Sequence, residues 1–127
     1  MSYPSQLKYT KEHEWIKLES DGTYTVGITS YALDQLGDVV FLELPDENTD
    51  FEAGDSFGTI ESTKTVSDLY MPTSGKITNT NSDVTENLES LSEDPYEGGW
   101  LVKIKPESDA SDLLSAEEYE SFISEID

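Results

Sequence analysis

Positive charge is scarce in this chain: seven lysines and no arginine stand against 28 acidic residues. One of the lysines, Lys64, lies in the run ESTKTVSD at residues 61–68. Two short stretches with strand character, 58–61 and 66–71, flank it, which predicts a β-hairpin with a primary amine at or beside its tip. From spacing alone two readings stand level: a solvated surface charge, and an amine held out for use. The scarcity of cations favours the second. Other candidate chemistry is thin. His13 is the single histidine, and with no second histidine or clustered nucleophile a structural or surface role is favoured over a base or ligand. The absence of cysteine excludes a disulfide framework, a zinc–thiolate site and a thiol nucleophile, and no metal site is expected. Sulfur for any redox step would have to arrive on a cofactor. Glu14 and Asp68, taken as residues, read as ordinary solvated carboxylates among the 28.

The elements that must position Lys64 follow from pattern. In the hairpin, the β-branched residues Thr59, Ile60, Thr63, Thr65 and Val66 favour an extended backbone, and Pro72, Ser74 and Gly75 close the second strand. Residues 9–18 lead into a first strand with Trp15 as a core anchor, Ser20-Asp21-Gly22 make a turn, and 23–28 alternate as the partner strand. Residues 29–36 predict a short helix with Gly37 as its C-terminal cap. The apolar run in 38–44 predicts a strand buried on both faces for part of its length and ended by Pro45. Residues 76–80 and 101–104 read as further strands, and 81–94 as a polar loop with a short helix around 84–88. Residues 95–100 read as a turn, with Trp100 packing on a sheet. From residue 109 the chain predicts a terminal helical unit. Ser115 and Glu118 form a capping box there, and Tyr119, Phe122, Ile123 and Ile126 share an apolar face.

At 127 residues one domain is expected, with a core over about 9–106 and a C-terminal helical segment over about 109–126. A formal charge of −21 excludes nucleic acid as a partner, because such binding needs cations to neutralise phosphates. It also argues against anionic membranes. The acidity suits docking onto basic partner surfaces and equally suits plain solubility or adaptation to salt. With neither a basic start nor a long apolar run, the chain is expected in the bacterial cytoplasm, a mature mitochondrial form being the alternative.

The run ESTKTVSDLYMPTSG at 61–75 resembles the lipoyl-attachment hairpin of the glycine cleavage system H protein family. YTKEHEW at 9–15, GTYTVGIT at 22–29, LGDVVFLELP at 36–45 and PYEGGWLVKIKP at 95–106 match further family motifs in order. The resemblance implies a mainly β lipoyl/biotinyl-carrier fold: a flattened barrel of two antiparallel sheets (a barrel-sandwich hybrid) with short helices and a C-terminal helix. It implies covalent attachment of lipoic acid to Lys64 by a lipoylating enzyme, and an arm cleft that includes Glu14 and Asp68. It implies a carrier that catalyses nothing itself. An aminomethyl group would pass from glycine decarboxylase (P protein) to aminomethyltransferase (T protein), and the reduced dithiol would go to dihydrolipoamide dehydrogenase (L protein).

Three departures from the family pattern stand out: Tyr31 where histidine is frequent, Glu12 where serine is frequent, and TENLESL at 85–91 without the usual proline. A lipoyl-relay protein that donates lipoyl groups to other enzymes would use the same Lys64. A biotin-type carrier is disfavoured because threonines, rather than methionines, flank the lysine. An unmodified acidic binding module is the remaining alternative.

Overall fold

The computed structural model describes residues 3–96, 98–107 and 113–126. In chain order the elements are β1 (Lys8–Tyr9), β2 (Glu14–Leu18), β3 (Tyr24–Ile28), α1 (Ser30–Leu36), β4 (Val39–Glu43), β5 (Asp50–Phe51), β6 (Ser56–Ser62) and β7 (Val66–Tyr70). Then follow β8 (Gly75–Thr80), α2 (Ser82–Glu86), α3 (Glu89–Glu93), β9 (Val102–Pro106) and α4 (Ala116–Ile126). Among the described residues nine antiparallel strands form two sheets, one ordered β1-β2-β3-β9-β8-β5 and the other β4-β6-β7. Among the described residues no ladder joins the sheets, so the arrangement is a two-sheet sandwich with short helices rather than a closed barrel.

The period-two pattern of β2 sorts its side chains onto the two faces of the larger sheet. Ile16 enters the inter-sheet core with Val26, Leu42, Ile60, Leu69, Ile77 and Ile104. Trp15 points to the opposite face, into an aromatic cluster with Tyr3, Tyr9 and Tyr119 that α4 covers. Trp15 pairs across the ladder with Gly27. A Cβ on Gly27 would fall 2.4 Å from the indole ring, so only glycine leaves room for it. The indole N–H donates to the Pro95 carbonyl at 2.8 Å.

Helix α1 starts and stops as its sequence dictates. The Thr29 hydroxyl accepts from the Ala32 amide, and Gly37 ends the helix at φ 81° with its N–H bonded to the Leu33 carbonyl. The capping box of α4 is present: Ser115 N–H donates to Glu118 Oε1 at 2.9 Å, and Glu118 N–H to Ser115 Oγ at 3.2 Å. The helix begins at Ala116, and the expected helical residues 109–112 lie outside the described residues.

Two expectations are corrected. Strand β4 is not buried on both faces. It is an edge strand of a three-stranded sheet covered on one side, so only Leu42 is buried while Val40 and Phe41 are 53% and 46% exposed. A shift of register between Val39 and Phe41 turns both outward. The stretch after β8 holds two short helices instead of one around 84–88, because the extended backbone of Asn87, at φ −132°, interrupts it. Val84 and Leu91 anchor one helix each in the core.

Candidate functional site

Lys64 occupies the tip of the β6–β7 hairpin. Glu61 pairs with Val66 as the last rung of the ladder, and the Ser62 amide donates to the Thr65 carbonyl at 2.8 Å. Thr63 and Lys64 are thereby left as a two-residue connection. Such tips ordinarily need left-handed residues, yet neither has positive φ. The Ser62 side chain closes the turn instead. Its hydroxyl accepts from the amides of Lys64 at 3.2 Å and Thr65 at 3.1 Å, and lies 3.3 Å from the Thr65 carbonyl, to which it donates. The Thr63 amide is tied to the Asp38 carbonyl at 3.1 Å. Lys64 is exposed on a backbone fixed from both sides, and its aliphatic stem lies over Gly37, where a Cβ would sit 3.5 Å from Cε.

Two clefts flank the free edge of β7. The one nearer the tip, about 280 Å³, is lined by Thr65, Ser67 and Asp68 of the hairpin, by His13, and by Tyr31 and Gln35 of α1. The other, about 680 Å³, is lined by Glu14, Thr10, Tyr70, Met71 and Leu113. Glu12 borders both. Glu14 and Asp68 therefore line neighbouring clefts rather than one, and their environments differ sharply. Asp68 is exposed, opposite Thr59 on the ladder. Because Lys64 sits in the turn, the alternation that orients Asp68 does not extend to it.

Glu14 is 1% exposed. It starts β2 on the same face as Ile16, and its Oε2 accepts from the Tyr70 amide at 2.7 Å, which ties the larger sheet to the edge of the smaller. Oε1 is buried and makes no protein hydrogen bond. Burial pushes the carboxyl pKa up to about 8, against the lowering effect of the Tyr70 N–H and with a small addition from Glu12. An acid with an orphaned oxygen at a cleft wall is poised to accept a donor or a cation.

His13 is held structurally. Its Nδ1 lies 2.8 Å from the Tyr119 hydroxyl, which is also 2.8 Å from Thr29 Oγ1. Its ring packs against Tyr31 at 4.9 Å between centroids, so the Tyr31 departure fills a wall of the tip-side cleft. Burial lowers the His13 pKa below its usual value. The turn-closing role of Ser62 and the contact of Glu14 with the Tyr70 amide had no separate signal in the residue pattern, and Gly37, expected as a helix cap, also lies under the Lys64 stem. A serine two places before a hairpin lysine could have suggested the first.

A family model described as Glycine cleavage H-protein matches residues 7–126. The chain belongs to the glycine cleavage H-protein family. It is 50% identical over 127 residues to the glycine cleavage system H protein of Staphylococcus carnosus, covering 98% of this chain and all of that one. The Bacteroides thetaiotaomicron protein of the same name is 51% identical over 125 residues, covering 97% and 98%. The crystal structure of a glycine cleavage system H protein from Mycobacterium marinum superposes with a TM-score of 0.91 at 41% identity, over 96% of this chain and 99% of that chain. Family membership gives the chain a role in the glycine cleavage system as a lipoyl carrier, a subunit that is not catalytic by itself. Among the described residues no helix is long and apolar enough to cross a membrane.

Proposed function

We propose that this chain, as a single carrier domain in the cytoplasm, bears lipoic acid in amide linkage on Lys64. In that form it serves glycine decarboxylase, aminomethyltransferase and dihydrolipoamide dehydrogenase in turn. The observation that carries the reading is the hairpin tip. An exposed amine on a backbone pinned by Ser62 and Asp38 can be recognised by an acylating enzyme, and a long arm attached there starts from a fixed direction. When attached, the lipoyl group supplies the disulfide/dithiol chemistry and the sulfur that accepts the aminomethyl group, neither of which the cysteine-free chain has.

The clefts support the same reading. From Val66 to Tyr70 the free edge of β7 runs about 14 Å, along the tip-side cleft and into the one walled by Glu14. Asp68 nearer the tip and Glu14 further on would line an arm held along that edge. A cation brought to Glu14 favours the carboxylate, so its arrival releases the Glu14 proton and forms an ion pair out of bulk water. Asp68 and Glu12 add negative potential at the cleft mouths. His13 and Tyr31 exclude water from the tip-side wall.

Incubation with a lipoate ligase, lipoic acid and ATP, followed by intact and peptide mass spectrometry, tests this. The expected result is one lipoyl increment confined to the Lys64 peptide. Reconstituted glycine oxidation with the three partner enzymes should then proceed with the modified protein and stop with Lys64→Ala, whose exposed position leaves stability unchanged. Lipoylation without loading by the decarboxylase would transfer the assignment to a lipoyl relay.

A further inference from the structure

Five large apolar side chains are exposed among the described residues: Leu18, Val40, Phe41, Val66 and Ile126. Three of them gather on the outer face of the β4-β6-β7 sheet. Phe41 pairs with Glu61, and Glu61 with Val66, so the three stand in one row across the sheet. Val40 is the extra residue at the β4 register shift beside that row. Glu43 and Asp68 lie in the next row on the same face, both opposite Thr59. Val66 is two residues from Lys64, on the last rung of the ladder below the turn that carries it. Exposed apolar side chains on both sides of a central carboxylate, Glu61, thus share one three-stranded sheet with the hairpin that carries the amine.

We propose that this outer face is the docking surface for the enzyme that acylates Lys64, and that the partner meets it with apolar side chains interleaved with lysine and arginine. The inference rests on the reading that Lys64 is acylated. An enzyme acting at the far end of an arm need not touch the hairpin. An enzyme that makes the amide must bring its reaction centre to Nζ, and so must cover the strands nearest it. In that step the neutral amine attacks an activated carboxyl carbon. The N–C bond forms, the C–O bond to the activating group breaks, and the surplus amine proton goes to solvent. Val40, Phe41 and Val66 supply apolar contact, and Glu61 between them, with Glu43 and Asp68 beside it in a chain of net charge −21, selects basic partner groups and speeds encounter.

The test is the steady-state rate of lipoylation by a lipoate ligase with lipoic acid and ATP, as a function of carrier concentration. Phe41→Ser and the near-isosteric Val66→Thr are compared with Leu18→Ser, an equally exposed apolar residue on the other sheet, after thermal unfolding has shown each to be folded. Both hairpin-sheet variants should lose about tenfold in kcat/KM, carried by a higher KM with kcat retained. Leu18→Ser should match wild type, and the KM of the wild type should rise with salt. Unchanged KM in both Phe41→Ser and Val66→Thr, a loss confined to kcat, or a KM indifferent to salt would overturn the proposal. Failure of the wild-type Lys64 to be modified beside a known carrier in the same tube would instead remove the underlying reading.

Discussion

Glu14 Oε2 accepts the Tyr70 amide proton at 2.7 Å and so links the first long strand of one sheet to the edge strand of the other, at the wall of the larger cleft. A single carboxyl group is at once a tie between the sheets and the deepest titratable group facing the cleft.

Its ionisation gives a stability signature. The folded-state pKa, about 8, lies above the ordinary value of 4.5, so the unfolded chain releases this proton first as pH rises. The stabilisation linked to Glu14 is full below pH 4.5 and is lost as pH climbs through 8, with a slope of about 1.4 kcal/mol per pH unit inside that window. Glu14→Gln keeps an oxygen for the Tyr70 amide and removes the titration. Chemical denaturation at pH 5, 6.5 and 8 should show a decline in wild type that is absent from the variant.

His13 acts in the opposite sense. Its folded-state pKa lies below the ordinary 6.5 because of burial, so stability linked to it is present above 6.5 and is lost as pH falls towards the folded value. His13 also adopts φ 68°, a conformation that asparagine tolerates. His13→Asn should therefore remove the acid-side loss without straining the loop. Tyr119→Phe, which deletes the hydroxyl shared by His13 and Thr29, should cost about 1–2 kcal/mol at neutral pH. Melting curves at pH 7.5 and 5.5 separate the two effects.

Ser62→Ala should cost only about 1 kcal/mol, because the amides it frees on Lys64 and Thr65 are near solvent. Its larger effect should be on order at the tip. Faster amide hydrogen exchange at Lys64 and Thr65 is expected, together with a several-fold slower lipoylation at unchanged global stability.

Gly37 is held at φ 81°, ψ −138°, a region almost closed to residues with a side chain, and a substitution there should cost about 1–3 kcal/mol. Gly37→Ala would also place a methyl group against the Lys64 stem. A lower melting temperature with chemical-shift changes confined to α1 and the hairpin tip is the expected result.

The hairpin, α1 and the start of α4 were legible in the sequence because each carries its own local chemistry: β-branched residues around Lys64, Thr29 and Gly37 bracketing a helix, and Ser115 reaching Glu118. What depends on the partner surface was not. An apolar run such as Val39–Glu43 reads alike whether a second layer covers it or it is left bare at an edge, and only the three-strand count of its sheet decides. The burial of Glu14 likewise depends on β7 arriving over it from 56 residues away. Asn87 divides the 81–94 stretch through its backbone angles, which composition does not reveal.

The six-stranded sheet carries unlike layers on its two sides, mostly aliphatic towards the smaller sheet and aromatic beneath α4. Near-ultraviolet circular dichroism and the emission of Trp15 therefore report chiefly on whether the C-terminal helix is seated, whereas methyl resonances of Val26, Ile60 and Ile77 report on the sandwich interior. If the two layers loosen at different temperatures, these probes give two midpoints, and a single optical melting curve describes the seating of a helix rather than the unfolding of the carrier.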